Sequence, residues 1–340
     1  MELARELAQR SGGEIITYPS FRTAKVKWEK WSVDLATARS ETYPRPGALP
    51  RVKPDTIIKD LSRRDFTINA LAVDLTPARF GELIDPYGGE FDLKNRLIRV
   101  LHERSFQDDA TRIWRAIRYE QRLDFTLEPT TLLWLKRDLS YLDTISGDRI
   151  KYELECALAE KLPEKVLQRA GELGVLARLH PVLKGDGWLG EKFAQARRLY
   201  HPDPPPMGLY LALLTYPLAP GDIEELSSYL RLSQSLGQIL RDVSRLKAKL
   251  DVLSAPGIAP SAVYATLKDY SPLAITALSL ATEWATARRH LQLFLSELRQ
   301  VKPLLTGDDL KKLGIPPGPR IKQILEHLRQ ARLDGKAKTR

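Results

Sequence analysis

Two short clusters of arginine and carboxylate hold most of the chemistry this sequence can do. The first is Asp60-Leu-Ser-Arg63-Arg64-Asp65-Phe-Thr-Ile-Asn69-Ala70, where two guanidiniums, a carboxylate and an amide stand at the mouth of an apolar run. Guanidinium forks donate in pairs to phosphates or base edges, and a carboxylate accepts from ribose hydroxyls, so the set suits a nucleoside triphosphate. Arg63, Arg64 and Asp65 are read as contacts to an incoming nucleotide, with Asp65 on the ribose and Arg64 on the phosphates or base. Asn69, four residues after Asp65, lies on the same helical face and can brace that carboxylate. A cap at Asp65 and Thr67, starting a helix that buries Phe66, Ile68 and Leu71, explains one carboxylate but not the paired arginines.

The second cluster is Asp108-Asp109-Ala-Thr-Arg112-Ile-Trp-Arg115-Ala-Ile-Arg118-Tyr119. Asp109, Arg112, Arg115 and Arg118 recur every three residues, so successive side chains step back about 60° and predict a curling stripe on one side of a helix. Aspartate acceptors beside paired arginine donors can match the Watson–Crick edge of a base. A solvated arginine-rich face with i,i+3 ion pairs explains the charges but not their Trp-Arg-Ala setting, in which Trp114 reads as core packing.

These clusters resemble the class II tRNA nucleotidyltransferase and bacterial poly(A) polymerase family. So do Leu-Ile-Asp85-Pro-Tyr-Gly88-Gly89, Leu97-Ile-Arg-Val and the ending Leu305-Thr-Gly307 through Gly314-Ile-Pro-Pro-Gly318-Pro319, so the likeness covers essentially the whole chain. Asp108 stands where the family more often has Glu, and Ala110 where it often has Pro. The resemblance implies addition of C, A or both to the 3′ end of tRNA without a nucleic-acid template, from ATP or CTP with Mg²⁺. The helix after Asp109 would then be the protein template that selects the base. Poly(A) tailing shares the same motifs.

The family opens with a Gly-Gly turn and an Asp-x-Asp strand that holds two Mg²⁺ ions, and these have no counterpart here. Leu3, Ala4, Leu7 and Ala8 predict a helix over residues 1–10, read as the one after the Asp-x-Asp strand, with Gly12-Gly13 as a helix-to-strand turn. Asp34, in Val33-Asp34-Leu35, resembles the third carboxylate on the neighbouring strand; pairing with Arg39 or a lysine is the alternative. One aspartate cannot bridge two ions roughly 4 Å apart, so Asp34 is a supporting metal ligand at best. The main ligands are expected on an upstream segment or a separate chain, with little nucleotide addition by these residues alone. The competing reading is a non-catalytic RNA- or nucleotide-binding remnant, or one half of a split enzyme.

Positioning these groups falls to a small sheet and a long helical array. Before residue 92, β-rich runs at 13–18, 23–28, 32–37 and 71–75 are separated by turns. Beyond it, helical periodicity runs through 132–135, 150–158, 166–176, 194–200 and 239–250, with breaks at Pro202–Pro206 and Ser254–Pro260. The fold class is therefore α+β. By resemblance it is a partial polymerase-β-type sheet followed by an all-helical arm, with a head over 1–92, a neck over 93–155, a body over 156–252 and a tail over 253–340. Asp148, in a family-like Gly-Asp-Arg-Ile, is explained as an N-terminal helix charge.

Lys plus Arg outnumber Asp plus Glu by 53 to 43, giving a net charge of +10 that favours a polyanionic partner, which the resemblance implies is tRNA. Arg320, Lys322, Arg329, Arg332, Lys336, Lys338 and Arg340 in the tail are read as followers of the RNA backbone. With 43% hydrophobic and 28% charged residues the chain is not a disordered one. The single Cys156 excludes an internal disulfide and reads as a buried small hydrophobe, while the scattered histidines exclude a zinc site. No apolar run approaches about 18 residues, so no membrane partner and a cytoplasmic location are expected.

Overall fold

Ala4 and Ala8, one turn apart on α1 (Glu2–Ser11), pack with Ala24 and Val26 of β2 (Thr23–Trp28) in a small apolar core closed by Leu7, Ile15, Trp28 and Leu35. β2 is the middle strand of an antiparallel meander, between β1 (Glu14–Tyr18) and β3 (Trp31–Ala36). Period-two alternation that turns Ala24 and Val26 to this core sends Lys25 to the other face, directly opposite Asp34. Gly12 lies in the left-handed region, φ 65°, and the Gly13 N–H returns to the Ala8 carbonyl at 2.9 Å, so the Gly-Gly pair is the helix-to-strand turn anticipated. This computed structural model describes residues 2–18 and 22–337, and Lys338 and Arg340 lie outside the described residues.

The chain continues through a β4 (Arg39–Thr42) and β5 (Arg51–Pro54) hairpin into α2 (Ile57–Ser62), capped by the Thr56 hydroxyl. A 3₁₀ turn at Thr67–Asn69 leads to β6 (Ala72–Val73), paired with β7 (Leu83–Ile84), and then α3 (Gly89–Lys94). β8 (Leu97–Ile98) pairs in parallel with β9 (Thr126–Leu127), and between them run α4 (Ser105–Asp108) and α5 (Thr111–Leu123); α6 (Pro129–Arg137) follows. The strand anticipated over 71–75 shrinks to two residues, because the Asp74 carboxylate takes the Thr76 N–H and hydroxyl and turns the chain.

Two compact units divide at Ile145/Ser146, so the stretch 93–155 contributes to both. The second unit is helical, and its helices at Pro163, Pro220, Pro260, Pro272 and Pro319 each begin on a proline, whose missing N–H has no partner to lose in a first turn. The run anticipated over 166–176 is interrupted: one helix ends at Glu172, Gly174 takes φ 80°, and Val175–Leu179 begins anew. That over 239–250 ends at Lys247, with a separate turn at Leu250–Leu253. Both proline-rich breaks fall as read, between Tyr200 and Met207 and between Leu253 and Pro260. Cys156 is half-buried rather than buried, because the inward stripe of its helix runs through Ile150, Leu154 and Ala157. Among the described residues no helix is long and apolar enough to cross a membrane.

Candidate nucleotide site

Asp60, at the end of α2, is the centre of the first cluster. Its carboxylate accepts from the Arg39 N–H (3.1 Å), from Arg63 Nε and Nη2 (3.1 and 2.9 Å) and from Arg64 (3.1 Å). Burial on its own would raise this carboxyl, but the donors from Arg63, Arg39 and Arg64 outweigh it and hold Asp60 below its ordinary value. Glu41 on β4 accepts from Arg39 (3.1 Å), Arg63 (2.9 Å) and the Tyr43 hydroxyl (3.0 Å). Arg63 is thus clamped between two acids, and burial pushes the Tyr43 phenol up to about 12 against the pull of Arg112. Arg64 is the more exposed of the pair and reaches the Asn69 carbonyl at 3.4 Å.

The Asp65 carboxylate joins the two clusters. One oxygen accepts from the Phe66 N–H (3.0 Å) and the Asn69 amide (2.9 Å); the other takes Arg115 Nε (2.8 Å) and a second nitrogen of the same guanidinium. Asn69 does brace Asp65, across a 3₁₀ turn and not along a helix face. On α5, Arg112 is almost wholly buried and donates to the Ser105 hydroxyl (2.6 Å) and the Arg63 carbonyl (2.7 Å). The Arg115 and Arg118 guanidiniums stand 5.5 and 5.2 Å from the Tyr119 ring centre, and Tyr119 meets Phe66 edge-on. Burial, reinforced by Arg112, lowers the nearby His102 imidazole.

The predicted four-residue stripe needs correction. Asp109 precedes the helix, in extended backbone between α4 and α5, and accepts the Thr111 N–H (3.0 Å) and hydroxyl (2.7 Å). Only the three arginines share α5, and Arg112 and Arg118 are buried, so this is no solvated face. Trp114 is core, as read. Asp34 is an exposed carboxylate paired with Lys25 at 3.4 Å, the lysine-pairing arrangement, and among the described residues no three metal-ligating side chains come together.

In the tail, Arg329 is turned to the Tyr264 hydroxyl (2.8 Å) and Arg332 to the Lys302 carbonyl (2.8 Å), while Arg320, Lys322 and Lys336 are exposed. Glu41, Tyr43, Ser105 and the hub role of Asp60 were not anticipated. Asp60 lies three and four residues before the two arginines, a helical spacing that signals both ion pairs. Glu41 arrives through the sheet, and no local pattern announces it.

A family model described as the Poly A polymerase head domain matches residues 1–99, and one described as the probable RNA and SrmB-binding site of polymerase A matches 124–186. The chain is 35% identical to the A-adding tRNA nucleotidyltransferase of Geobacter sulfurreducens, over 99% of its own length and 40% of the relative's. It is 30% identical to that of Halalkalibacterium halodurans, over 96% of this chain and 76% of the relative. The chain belongs to the tRNA nucleotidyltransferase family. A CC-adding tRNA nucleotidyltransferase of Deinococcus radiodurans is 32% identical over 97% of this chain and 76% of its own. Thus the chain spans about two-fifths of the Geobacter relative and about three-quarters of the other two.

Among solved structures, a CCA-adding enzyme in an apo form superposes with a TM-score of 0.84 at 32% identity, covering 99% of this chain and 82% of that one. The Thermotoga maritima CCA-adding enzyme complexed with tRNA gives 0.77 at 31%, covering 100% and 81%. The lattice around Asp60 and Asp65 falls inside the span matched to the nucleotidyltransferase head. Residues 100–123, with Asp109, Arg112, Arg115 and Arg118, fall between the two family-model spans.

Proposed function

We propose that this chain selects the nucleotide and holds the RNA for template-independent addition of A, C or both to the 3′ end of tRNA. The observation that carries the reading is the paired hydrogen bond from Arg115 to Asp65, which brings two clusters 50 residues apart into one site. Arg64, held by Asp60 yet accessible, is the donor for the triphosphate. Asp65 is the ribose acceptor, oriented by Arg115 and Asn69. Asp109, in the extended link just before α5, and Arg115, on its second turn, meet the base edge, with Arg112 fixing the helix to the Arg63 carbonyl behind them.

Magnesium, which the family resemblance implies, needs several carboxylate oxygens, and in this reaction type two ions share them. The described residues do not fit that need: Asp34 is exposed and neutralised by Lys25. The part of the reaction these residues can perform is binding and orientation, which in phosphoryl transfer is a large share of catalysis.

The test is incubation of tRNA lacking its terminal residues with labelled ATP or CTP and Mg²⁺, both alone and with the family's Gly-Gly and Asp-x-Asp segment supplied in fusion. Incorporation in either arm that is lost in Asp65→Ala supports the proposal, and sequencing the product tells A addition from C addition and from poly(A) tailing. A chain that binds tRNA and nucleotide but incorporates nothing in both arms would be a non-catalytic binding protein, and the proposal would be wrong.

A further inference from the structure

A cavity of about 510 Å³ opens in the helical unit, within the size range of small-ligand sites. Three aromatic side chains, Trp188, Tyr216 and Trp284, stand in its wall. Trp188, at the start of the helix Gly187–Tyr200, stacks on Tyr216 with ring centres 5.7 Å apart and planes inclined by 26°. Trp284, 47% exposed, lies just before the helix Ala285–Ser296. Lys247 donates to the Tyr216 carbonyl at 2.9 Å, and its ammonium stands 4.5 Å from the Tyr216 ring centre, within cation–π range. Burial lowers Lys247 from its ordinary value and raises the Tyr216 phenol, which Glu283 raises further. Lys184 and Glu283 are exposed side chains of the lining, whereas the Asp186 carboxylate is engaged as a helix cap on the Leu189 N–H at 3.0 Å.

The chemistry of this wall narrows the ligand. A half-exposed indole and the Trp188–Tyr216 stack line the same cavity, and a planar base lies flat on an indole face with the fullest contact. Lys184 adds a hydrated point charge suited to phosphate. Glu283 adds an acceptor that an exocyclic amino group can satisfy, where uracil offers only its N3–H. We propose that this cavity binds one nucleotide unit, an amino-bearing base stacked on Trp284 with its phosphate at Lys184, as a second nucleotide site built wholly from residues 184–284. The inference goes beyond the proposed function and does not depend on it, since its test reads binding and not incorporation.

The unit can be a free nucleotide or part of an RNA strand, and two probes separate these sources. Binding of fluorescent single-stranded oligoadenylate to the full chain is followed by anisotropy, with AMP as competitor and oligouridylate for comparison. Trp284→Ala should weaken oligoadenylate binding roughly tenfold or more, the usual loss for one stacking platform. Lys184→Ala should weaken it less and shave about 0.7 from the slope of log affinity against log salt. Oligouridylate should bind more weakly than oligoadenylate. Competition by AMP at comparable affinity assigns the site to a free nucleotide; oligomer binding that AMP does not displace assigns it to a strand. Both substitutions fall on exposed side chains, and an unshifted melting temperature shows that the variants are folded. If both folded variants bind oligoadenylate and AMP as the parent does, or the parent binds neither, the proposal is overturned.

Discussion

Arg112 does its work facing the protein. Its guanidinium holds the Ser105 hydroxyl and the Arg63 carbonyl, so Arg112→Ala leaves a buried acceptor unpaired and should cost about 1–3 kcal/mol of stability, readable by urea denaturation. The same variant should also weaken nucleotide binding, since the carbonyl it releases belongs to the clamped arginine. Asp109→Ala separates the roles. It should lower discrimination between ATP and CTP while sparing tRNA affinity, and unchanged binding of both nucleotides would remove Asp109 from base selection. Asp60 makes a prediction about acid. Its folded-state carboxyl is held below the ordinary value of 3.8, so its stabilisation is complete above that value and is lost as pH falls through the lower folded one. Asp60→Asn should therefore be less stable at neutral pH and lose less on acidification, as pH-resolved melting would show.

At the scale of elements, the two glycines before and at the start of α3 are constrained for different reasons. Gly88 takes φ 71° in open space, so Gly88→Ala carries only the left-handed backbone cost of about 1–2 kcal/mol. Gly89 is ordinary in backbone, but a Cβ there would lie 2.2 Å from the Thr67 carbonyl, so Gly89→Ala must push α3 off the turn that aims Asn69 at Asp65. The second substitution should cost more than the first in thermal unfolding and should alone reduce nucleotide affinity. The meander and the helix carrying Arg112, Arg115 and Arg118 were legible in the sequence, because period two and period 3.6 are written in contiguous apolar residues. The break at Asp109 was not, because a side chain bonding its own backbone two residues on outcompetes helix continuation without disturbing the pattern of three. Glu41 was illegible for the opposite reason: it pairs with Arg63 across 22 residues, and only the tertiary fold supplies that distance.

For the whole molecule, the excess of ten positive charges predicts that tRNA affinity falls steeply with added salt, as counterions released from phosphate compete for rebinding. Filter binding across a salt series checks this; a flat response would deny the helical arm its proposed role. Within that arm, Arg320, Lys322 and Lys336 are exposed, and replacing them should lessen the slope, whereas Arg329→Ala should act first on folding through the lost Tyr264 contact. The border at Ile145/Ser146 has a consequence for how such proteins diversify. Every residue assigned here to the incoming nucleoside triphosphate around Asp65 lies before it and every tail cation after it, so the border is a natural seam for recombination. A chimera that joins residues 1–145 of an A-adding or a CC-adding relative to this chain's 146–340 should inherit its choice of base from the donor and its tRNA affinity from the recipient. Evolution could then exchange one trait without renegotiating the other.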